Sequence, residues 1–277
     1  MSPLHLVLYL AGGFAVLTWV LSVLTRDTSW VDRLWSILPA SYVVVFAADA
    51  RLADPRLDVM AALAVAWGAR LTYNLARKGG YRVEDYRWSV LRSEMSPRRF
   101  AVFNLLFVAL GQNVQLVLLA LPAETAYLHR SAPYDVTDGV LAGLFLAALV
   151  GETIADQQQW DFQRWKTRVA ARGDTPDPGF CTTGLFRYSR HPNYFFEIAQ
   201  WWVLFLLGAS AARSLGQWTV VGAATLTVLF VGSTRFTERL TSAKYPAYAA
   251  YQRRTSPVIP WWPRREVAGG DEATDAG

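Results

Sequence analysis

Long apolar blocks separated by charged connections are the dominant pattern in this chain. No Asp, Glu, Lys or Arg occurs from Leu6 to Thr25, from Phe100 to Ala123 or from Ser214 to Thr234. Each block has the roughly 20 residues that a helix needs to cross a bilayer. With four further blocks that charges interrupt, the predicted spans are roughly 4–25, 30–49, 57–76, 100–122, 138–156, 192–212 and 214–234. We therefore expect an all-α, multi-pass integral membrane protein with about seven transmembrane helices.

The basic residues are distributed unevenly between the two ends of these spans. All but five of the 27 Lys and Arg residues lie in or flank the first, third and fifth connections, or follow the last span. The five exceptions are Arg51, Arg56, Arg70, Arg130 and Arg213. Because basic loops remain in the cytoplasm, we expect the N-terminus outside and the C-terminus in the cytoplasm, in a bacterial plasma membrane.

Composition limits the rest of the organisation. The 277-residue chain has a net charge of +5 and one cysteine, Cys181, so no internal disulfide is possible. Gly, Ala and acidic residues at the end predict a disordered cytoplasmic tail over 266–277, after a single membrane domain over 1–265. No zinc-type Cys/His spacing, Walker loop or G-x-G-x-x-G sequence occurs, so we expect no metal site, and we expect no nucleic-acid partner.

Several ionisable side chains lie where lipid should be, which usually places them in a bundle interior or a wet cavity. Glu152 and Asp156 continue into Gln159 and Gln163 on one helical face. A solvated helix end explains the two glutamines. It explains Glu152 poorly, because Glu152 directly follows an apolar run.

A second polar face begins the sixth span, where Asn193, Glu197 and Gln200 follow a dense basic segment. Pro192 suits the first turn of a helix, and helix N-termini attract anions. Arg187, Arg190 and His191 just before that turn therefore predict a phosphate site. The alternative is that the arginines are ordinary charges flanking a membrane span.

The second and third spans also begin or end with polar groups. Asp32 lies between Trp30 and Trp35, where it could be functional or could pair with Arg33 or Arg26. Arg70 lies within the third span, with Tyr73 on the same face, and an aromatic, charged loop follows at 80–88. Aromatic rings beside arginines can hold a planar ring, or can anchor a loop at the headgroups.

The segment Gly184–Trp202, GLFRYSRHPNYFFEIAQWW, resembles the steroid 5α-reductase superfamily, and within it a bacterial branch of unknown function, similar to 3-oxo-5α-steroid 4-dehydrogenase-like membrane reductases. The resemblance covers about residues 25 to 262. It also rests on Asp32–Trp35, Trp67-Gly68-x-Arg70-Leu71, Glu84-Asp85-x-Arg87-Trp88 and Tyr251–Ser256 before Ile259-Pro260. Isoprenylcysteine methyltransferases carry a similar Arg-His-Pro-x-Tyr, so the motif is less specific about the reaction than about the superfamily.

The resemblance implies a seven-helix enzyme that uses NADPH to reduce a carbon–carbon double bond conjugated to a carbonyl in a steroid or other lipid. It implies a cofactor cavity that opens to the cytosol and a substrate that enters from the bilayer. The cofactor-binding residues that it implies are Glu152, Asp156, Arg164, Arg187, Tyr188, Arg190, His191, Asn193, Glu197, Glu238, Arg239, Arg253 and Arg254.

The substrate end of the site follows from the same resemblance. Steroid reductases polarise the substrate ketone with a Glu on the second helix and a Tyr on the third. The best matches here are Asp32 and Tyr73 as catalytic residues, although Trp67 aligns about as well as Tyr73. Further substrate or loop residues are Trp67, Arg70, Glu84, Asp85 and Arg87. The alternatives are an S-adenosylmethionine-dependent isoprenylcysteine or lipid methyltransferase, and a non-enzymatic lipid-binding membrane protein.

Overall fold

The computed structural model describes residues 1–264, and helices account for most of this range. The α-helices are α1 (Pro3–Thr25), α2 (Trp30–Trp35), α3 (Leu38–Asp49), α4 (Pro55–Arg77), α5 (Tyr86–Glu94), α6 (Pro97–Phe103), α7 (Gln112–Leu128), α8 (Val136–Ala171), α9 (Pro192–Ala211), α10 (Val220–Lys244) and α11 (Tyr248–Arg254). A π-helical segment, Asn104–Gly111, joins α6 to α7, and a 3₁₀ turn, Gly184–Arg187, precedes α9. The predicted tail at 266–277 lies outside the described residues.

Six stretches among the described residues are long and apolar enough to cross a membrane. They are Pro3–Thr25, Trp30–Asp49, Pro97–Leu128, Val136–Ala171, Pro192–Ala211 and Val220–Lys244. This confirms the prediction of an all-helical, multi-pass membrane protein. The predicted third span is the 23-residue helix α4, which is as long as α1 but carries four charged side chains between Arg56 and Arg77 and is not among the six.

The helix boundaries differ from the sequence-based prediction at three places, and proline and polar residues explain where these helices begin and end. Pro39 in the first turn of α3 has no N–H to donate back to the preceding turn, so α2 and α3 are separate helices. Helix α8 continues to Ala171, well beyond the predicted end at 156, because helix formation does not require apolar residues outside the lipid. Helix α10 begins at Val220 instead of 214, after a turn in which Arg213 has a φ of 49°.

The described chain forms two compact units. The first, unit 1, comprises Met1–Gly151 and Phe196–Phe230; the second, unit 2, comprises Glu152–Phe195 and the residues from Val231 onward. Helices α8, α9 and α10 each contribute residues to both units.

Unit 1 has an apolar core in which large side chains such as Tyr42, Phe46 and Trp67 are fully buried. Small residues allow the helices to approach closely. A Cβ atom on Gly208 would lie 2.5 Å from the Pro122 carbonyl oxygen, and one on Gly222 would lie 2.2 Å from that of Leu118. Close backbone approach of this kind is typical of helix packing in membranes.

Unit 2 has a smaller core in which aromatic rings predominate. Phe180 packs edge-on against Tyr248, with ring centroids 4.9 Å apart, and stacks on Tyr251 at 5.5 Å. Phe186 and Cys181 are buried beside Ala155 of α8. These contacts fix the loop between α8 and α9 against α11 within the unit.

Candidate functional site

Glu197 is a buried carboxylate held by two indole rings in unit 1. The Trp67 Nε1–H donates a hydrogen bond to Glu197 Oε2 at 2.9 Å, and the Trp201 Nε1–H donates one to Oε1 at 3.1 Å. The two indoles pack edge-to-face with centroids 4.7 Å apart. All three residues are less than 5% exposed. The carboxylate is thus fixed in an aromatic, water-poor environment.

Arg70 supplies the charge that balances this carboxylate. Its Nη2 lies 3.3 Å from Glu197 Oε2, and its side chain is 10% exposed. Trp67 and Arg70 are three residues apart on α4, so they lie on one face of that helix. Burial of a carboxylate is costly unless a cation and hydrogen bonds compensate it, and Glu197 has both.

Asp32 lies in a different hydrogen-bond network of unit 1, which connects it to α5. Its Oδ2 accepts a hydrogen bond from the Trp88 Nε1–H at 2.6 Å. Among residues 1–264, Asp32 forms no ion pair with Arg33 or Arg26, and Arg33 instead pairs with Asp27 at 2.6 Å. Asp32 is therefore a half-buried acid in contact with an indole.

The acidic loop residues are engaged in fixing this loop. Glu84 accepts from the Thr28 N–H at 2.7 Å and pairs with Arg92 at 2.6 Å. Asp85 caps α5 and pairs with Arg87 at 2.8 Å. Within the described residues, these contacts give Glu84, Asp85 and Arg87 a structural role that accounts for their charge.

Tyr73 is not brought to Asp32. Its side chain is 66% exposed, and the Arg77 guanidinium lies 5.3 Å from its ring centroid. No hydrogen bond to its hydroxyl occurs among the described residues. Trp67, which aligns with the family tyrosine about as well as Tyr73 does, is fully buried and donates a hydrogen bond to Glu197.

Glu238 is the centre of the polar network in unit 2. Arg190 Nε donates to Glu238 Oε1 at 2.6 Å, and Arg190 Nη2 donates to Oε2 at 3.0 Å. His191 Nε2 lies 3.1 Å from Oε1, and Gln252 Nε2 donates to Oε2 at 2.9 Å. Tyr248 donates a longer bond of 3.4 Å to Oε1. Glu238 therefore joins α10, α11 and the segment before α9.

Backbone contacts fix the same segment to the end of the described chain. The Arg190 N–H donates to the Ser256 carbonyl at 2.8 Å, and the His191 N–H donates to that of Pro257 at 3.1 Å. Arg190 Nη1 also donates to the carbonyls of Gln252 and Thr255. Most donors of Arg190 are thus used inside the protein, and its predicted role as a phosphate partner is secondary to this one.

Other predicted cofactor residues remain available to a ligand. Arg164, Arg187 and Arg253 are exposed and form no side-chain ion pair with the described residues. Asn193, in the first turn of α9, is half-buried, and no described residue hydrogen-bonds its side chain. Three guanidinium groups and one amide in unit 2 can therefore bind phosphate oxygens.

The remaining predicted cofactor residues differ in their exposure. Glu152 and Asp156 are buried at 3% and 4% exposed, whereas Gln163 on the same face is exposed. A solvated helix end therefore does not describe the first two. Tyr188 is half-buried and packs edge-on against Trp262, and Arg239 and Arg254 are exposed.

The tyrosines of unit 2 have unusual acid–base properties that follow from their surroundings. Burial raises the pKa of Tyr251 and of Tyr248 above the usual range, and Tyr251 donates its hydroxyl to the Phe186 carbonyl. The Lys166 ammonium, 3.1 Å from the hydroxyl of Tyr245, lowers the pKa of that phenol. Burial also raises the pKa of Cys181.

Sequence reasoning missed three residues that complete these networks. Trp201 follows Glu197 by four residues, so its place on the same helical face could have been predicted. Tyr248 and Gln252 contact Glu238 from a separate helix, and no spacing in the sequence indicates that contact.

Comparison with known proteins gives the family of this chain. Residues 18–255 match the family described as "Protein of unknown function (DUF1295)". The chain belongs to this family. The DUF1295 match includes both Glu197 and Glu238 with all of their hydrogen-bond partners.

A curated relative aligns with most of this DUF1295 chain. The chain is similar to "Uncharacterized protein C594.04c" of Schizosaccharomyces pombe, with 38% identity over 258 residues. The aligned region covers 87% of this chain and 75% of the yeast protein. No solved structure matches.

Proposed function

We propose that this protein is a membrane-embedded reductase that uses NADPH to reduce a carbon–carbon double bond conjugated to a carbonyl in a steroid or other lipid. The observation that carries the proposal is the buried Glu197 carboxylate between Trp67 and Trp201. The resemblance of Gly184–Trp202 to the steroid 5α-reductase superfamily supports it. The family description leaves the reaction open, so the argument rests on the residues themselves.

Unit 1 has the chemical groups that such a reduction needs. Hydride addition to an enone develops negative charge on the carbonyl oxygen, and hydrogen-bond donors at that oxygen stabilise the transition state. A carboxylic acid can supply a proton, and Asp32, beside the Trp88 indole, is the candidate donor in this unit. Glu197 is paired with Arg70 as a carboxylate and orients the groups around it. The surrounding Trp67 and Trp201 rings offer flat apolar surfaces to a lipid.

Unit 2 has the groups that a dinucleotide phosphate needs. NADPH would supply the hydride when bound. The exposed guanidinium groups of Arg164, Arg187 and Arg253 match phosphate in charge and geometry. The Arg190–Glu238 ion pair anchors the segment that carries Arg187 and Asn193, which lie three residues before and after Arg190. In this proposal the basic side of the protein faces the cytoplasm, where NADPH is present.

Cofactor binding by the purified protein tests the proposal. NADPH should raise the melting temperature in detergent, and calorimetry should give saturable binding. Arg187→Ala and Asn193→Ala should each weaken this affinity, whereas Arg172→Ala, an exposed arginine of the same unit, should leave it unchanged. Stabilisation by S-adenosylmethionine without stabilisation by NADPH would instead favour the lipid methyltransferase.

A further inference from the structure

A groove of about 550 Å³ lies along unit 1 between α1 and α7. Its walls are mainly apolar and include Leu8, Gly12, Val114, Leu118, Leu121 and Trp218. We call it the α1–α7 groove. A groove of this size is within the usual range for a small-molecule site.

The two helices of the α1–α7 groove are antiparallel. Asn104 donates to the Ser22 hydroxyl at 2.8 Å, and Asn113, further along, donates to that of Thr18 at 3.3 Å. The end of α7 therefore lies beside the beginning of α1. The Asn113–Thr18 bond marks the inner end of the groove, and the polar residues Glu124 and His129 line its other end.

Glu124 is the acidic residue of the groove, and its charge is not balanced. Its side chain is half-buried, and it forms no hydrogen bond or ion pair with any described residue. The His129 ring, which also lines the groove, has Nδ1 at 2.9 Å from the Thr125 carbonyl oxygen. A carboxylate in such an apolar place is stable only if a cation or a donor reaches it.

We propose that the α1–α7 groove binds one membrane phospholipid with a primary-amine headgroup. The ammonium group pairs with Glu124, and one acyl chain lies along Leu121, Leu118 and Val114 towards Asn113. The charge of Glu124 selects the headgroup, and the leucine-rich walls accept the chain. This inference does not depend on the proposed reductase activity.

Two adjacent glycines of α1 provide a matched pair of variants. A Cβ atom added at Gly12 or at Gly13 would meet no atom within 4 Å, so both positions have room at the Cβ for a side chain. Gly12 lines the groove and Gly13 does not. Gly12→Leu should therefore fill the groove and exclude the acyl chain, whereas Gly13→Leu should leave it open.

Native mass spectrometry of the purified protein, titrated with dioleoyl phosphatidylethanolamine or dioleoyl phosphatidylglycerol, tests the proposal. The wild type should bind one phosphatidylethanolamine, roughly five- to tenfold more tightly than phosphatidylglycerol. Gly12→Leu should lose this binding and Gly13→Leu should keep it. Glu124→Gln should bind both lipids equally, since it keeps the groove and removes the charge. Melting temperatures in detergent confirm that each variant is folded.

Three results would overturn the proposal. One is equal affinity of the wild type for the two lipids. Another is equal lipid binding by Gly12→Leu and Gly13→Leu. The third is a change of oligomeric state in Gly12→Leu alone, which would show that a second copy of this chain occupies the groove.

Discussion

The Trp67 indole donates a hydrogen bond of 2.9 Å to the Glu197 carboxylate, although the two residues are 130 positions apart in the chain. The bond joins α4 to α9 inside unit 1, and the Trp201 indole donates to the other carboxylate oxygen. A buried acid held on both oxygens has a fixed orientation. Such fixed orientation is the property that a proton-donating or ligand-binding acid requires.

Trp67→Phe should destabilise the protein, because it removes one hydrogen bond to a buried charge but keeps an aromatic ring. A loss of about 1.5–3 kcal/mol is expected for such a bond. Thermal unfolding in detergent measures it. Trp19→Phe is the control. Trp19 is partly exposed on α1, and its indole forms no hydrogen bond with any described residue. Equal melting temperatures for the two variants would show that the bond to Glu197 contributes nothing to stability.

Glu238→Gln should loosen the segment before α9, because it leaves the largely buried Arg190 guanidinium without a counter-charge. Removing one partner of a buried ion pair typically costs about 3 kcal/mol. Hydrogen exchange of the Arg190 and His191 amides should increase, because these amides donate to the carbonyls of Ser256 and Pro257. The exposed Arg235→Lys on the same helix should not change it. Unchanged protection of these two amides in Glu238→Gln would contradict this role.

Tyr248 and Tyr251 should make unit 2 sensitive to alkaline pH. Burial raises their pKa in the folded protein, so their contribution to stability is complete below the ordinary tyrosine pKa of about 10 and is lost as the pH rises above it. The melting temperature should therefore fall between about pH 9.5 and 11. Tyr251→Phe should reduce this fall, and Tyr73→Phe, at an exposed site, should not. If the melting temperatures of the wild type, Tyr251→Phe and Tyr73→Phe depend on pH in the same way, Tyr251 does not cause the alkaline sensitivity.

The position of α4 decides on which sides of the membrane the two ends of the chain lie. If α4 crosses together with the six apolar stretches, the ends lie on opposite sides. Single-cysteine variants Ser2→Cys and Arg264→Cys, in a Cys181→Ser background, can be labelled with an impermeant maleimide in intact cells. We expect labelling at position 2 in intact cells, and at position 264 only after lysis. Equal labelling at both sites would mean that α4 does not cross.

Hydropathy was sufficient to predict the membrane helices, because each apolar block must be helical to satisfy its backbone in lipid. It located α1 to within one residue and α9 likewise. It failed at the end of α8 and at the start of α10, where polar sequence continues a helix or forms a turn. Hydropathy reports burial in lipid, and it does not report where a helix ends in water.

The acids of the site were predictable from the sequence, but most of their partners were not. Glu197 and Asp32 are conspicuous because they are charged residues in apolar surroundings. Their partners Trp67 and Trp88 are far away in the chain, and tryptophans are common in this sequence, so no pattern distinguishes them. The arginines illustrate the opposite case, since Arg187 and Arg190 look alike in sequence, yet only Arg190 is enclosed by Glu238.

Isotope transfer tests the proposed reductase most directly. The purified protein would be incubated with a lipid extract, NADPH deuterated at the transferable position of the nicotinamide ring, and S-adenosylmethionine with a deuterated methyl group. We predict that one deuterium from NADPH appears in a lipid product two hydrogens heavier than its precursor, and that Glu197→Gln strongly reduces it. Transfer of the deuterated methyl group, with no deuterium transferred from NADPH, would contradict the account.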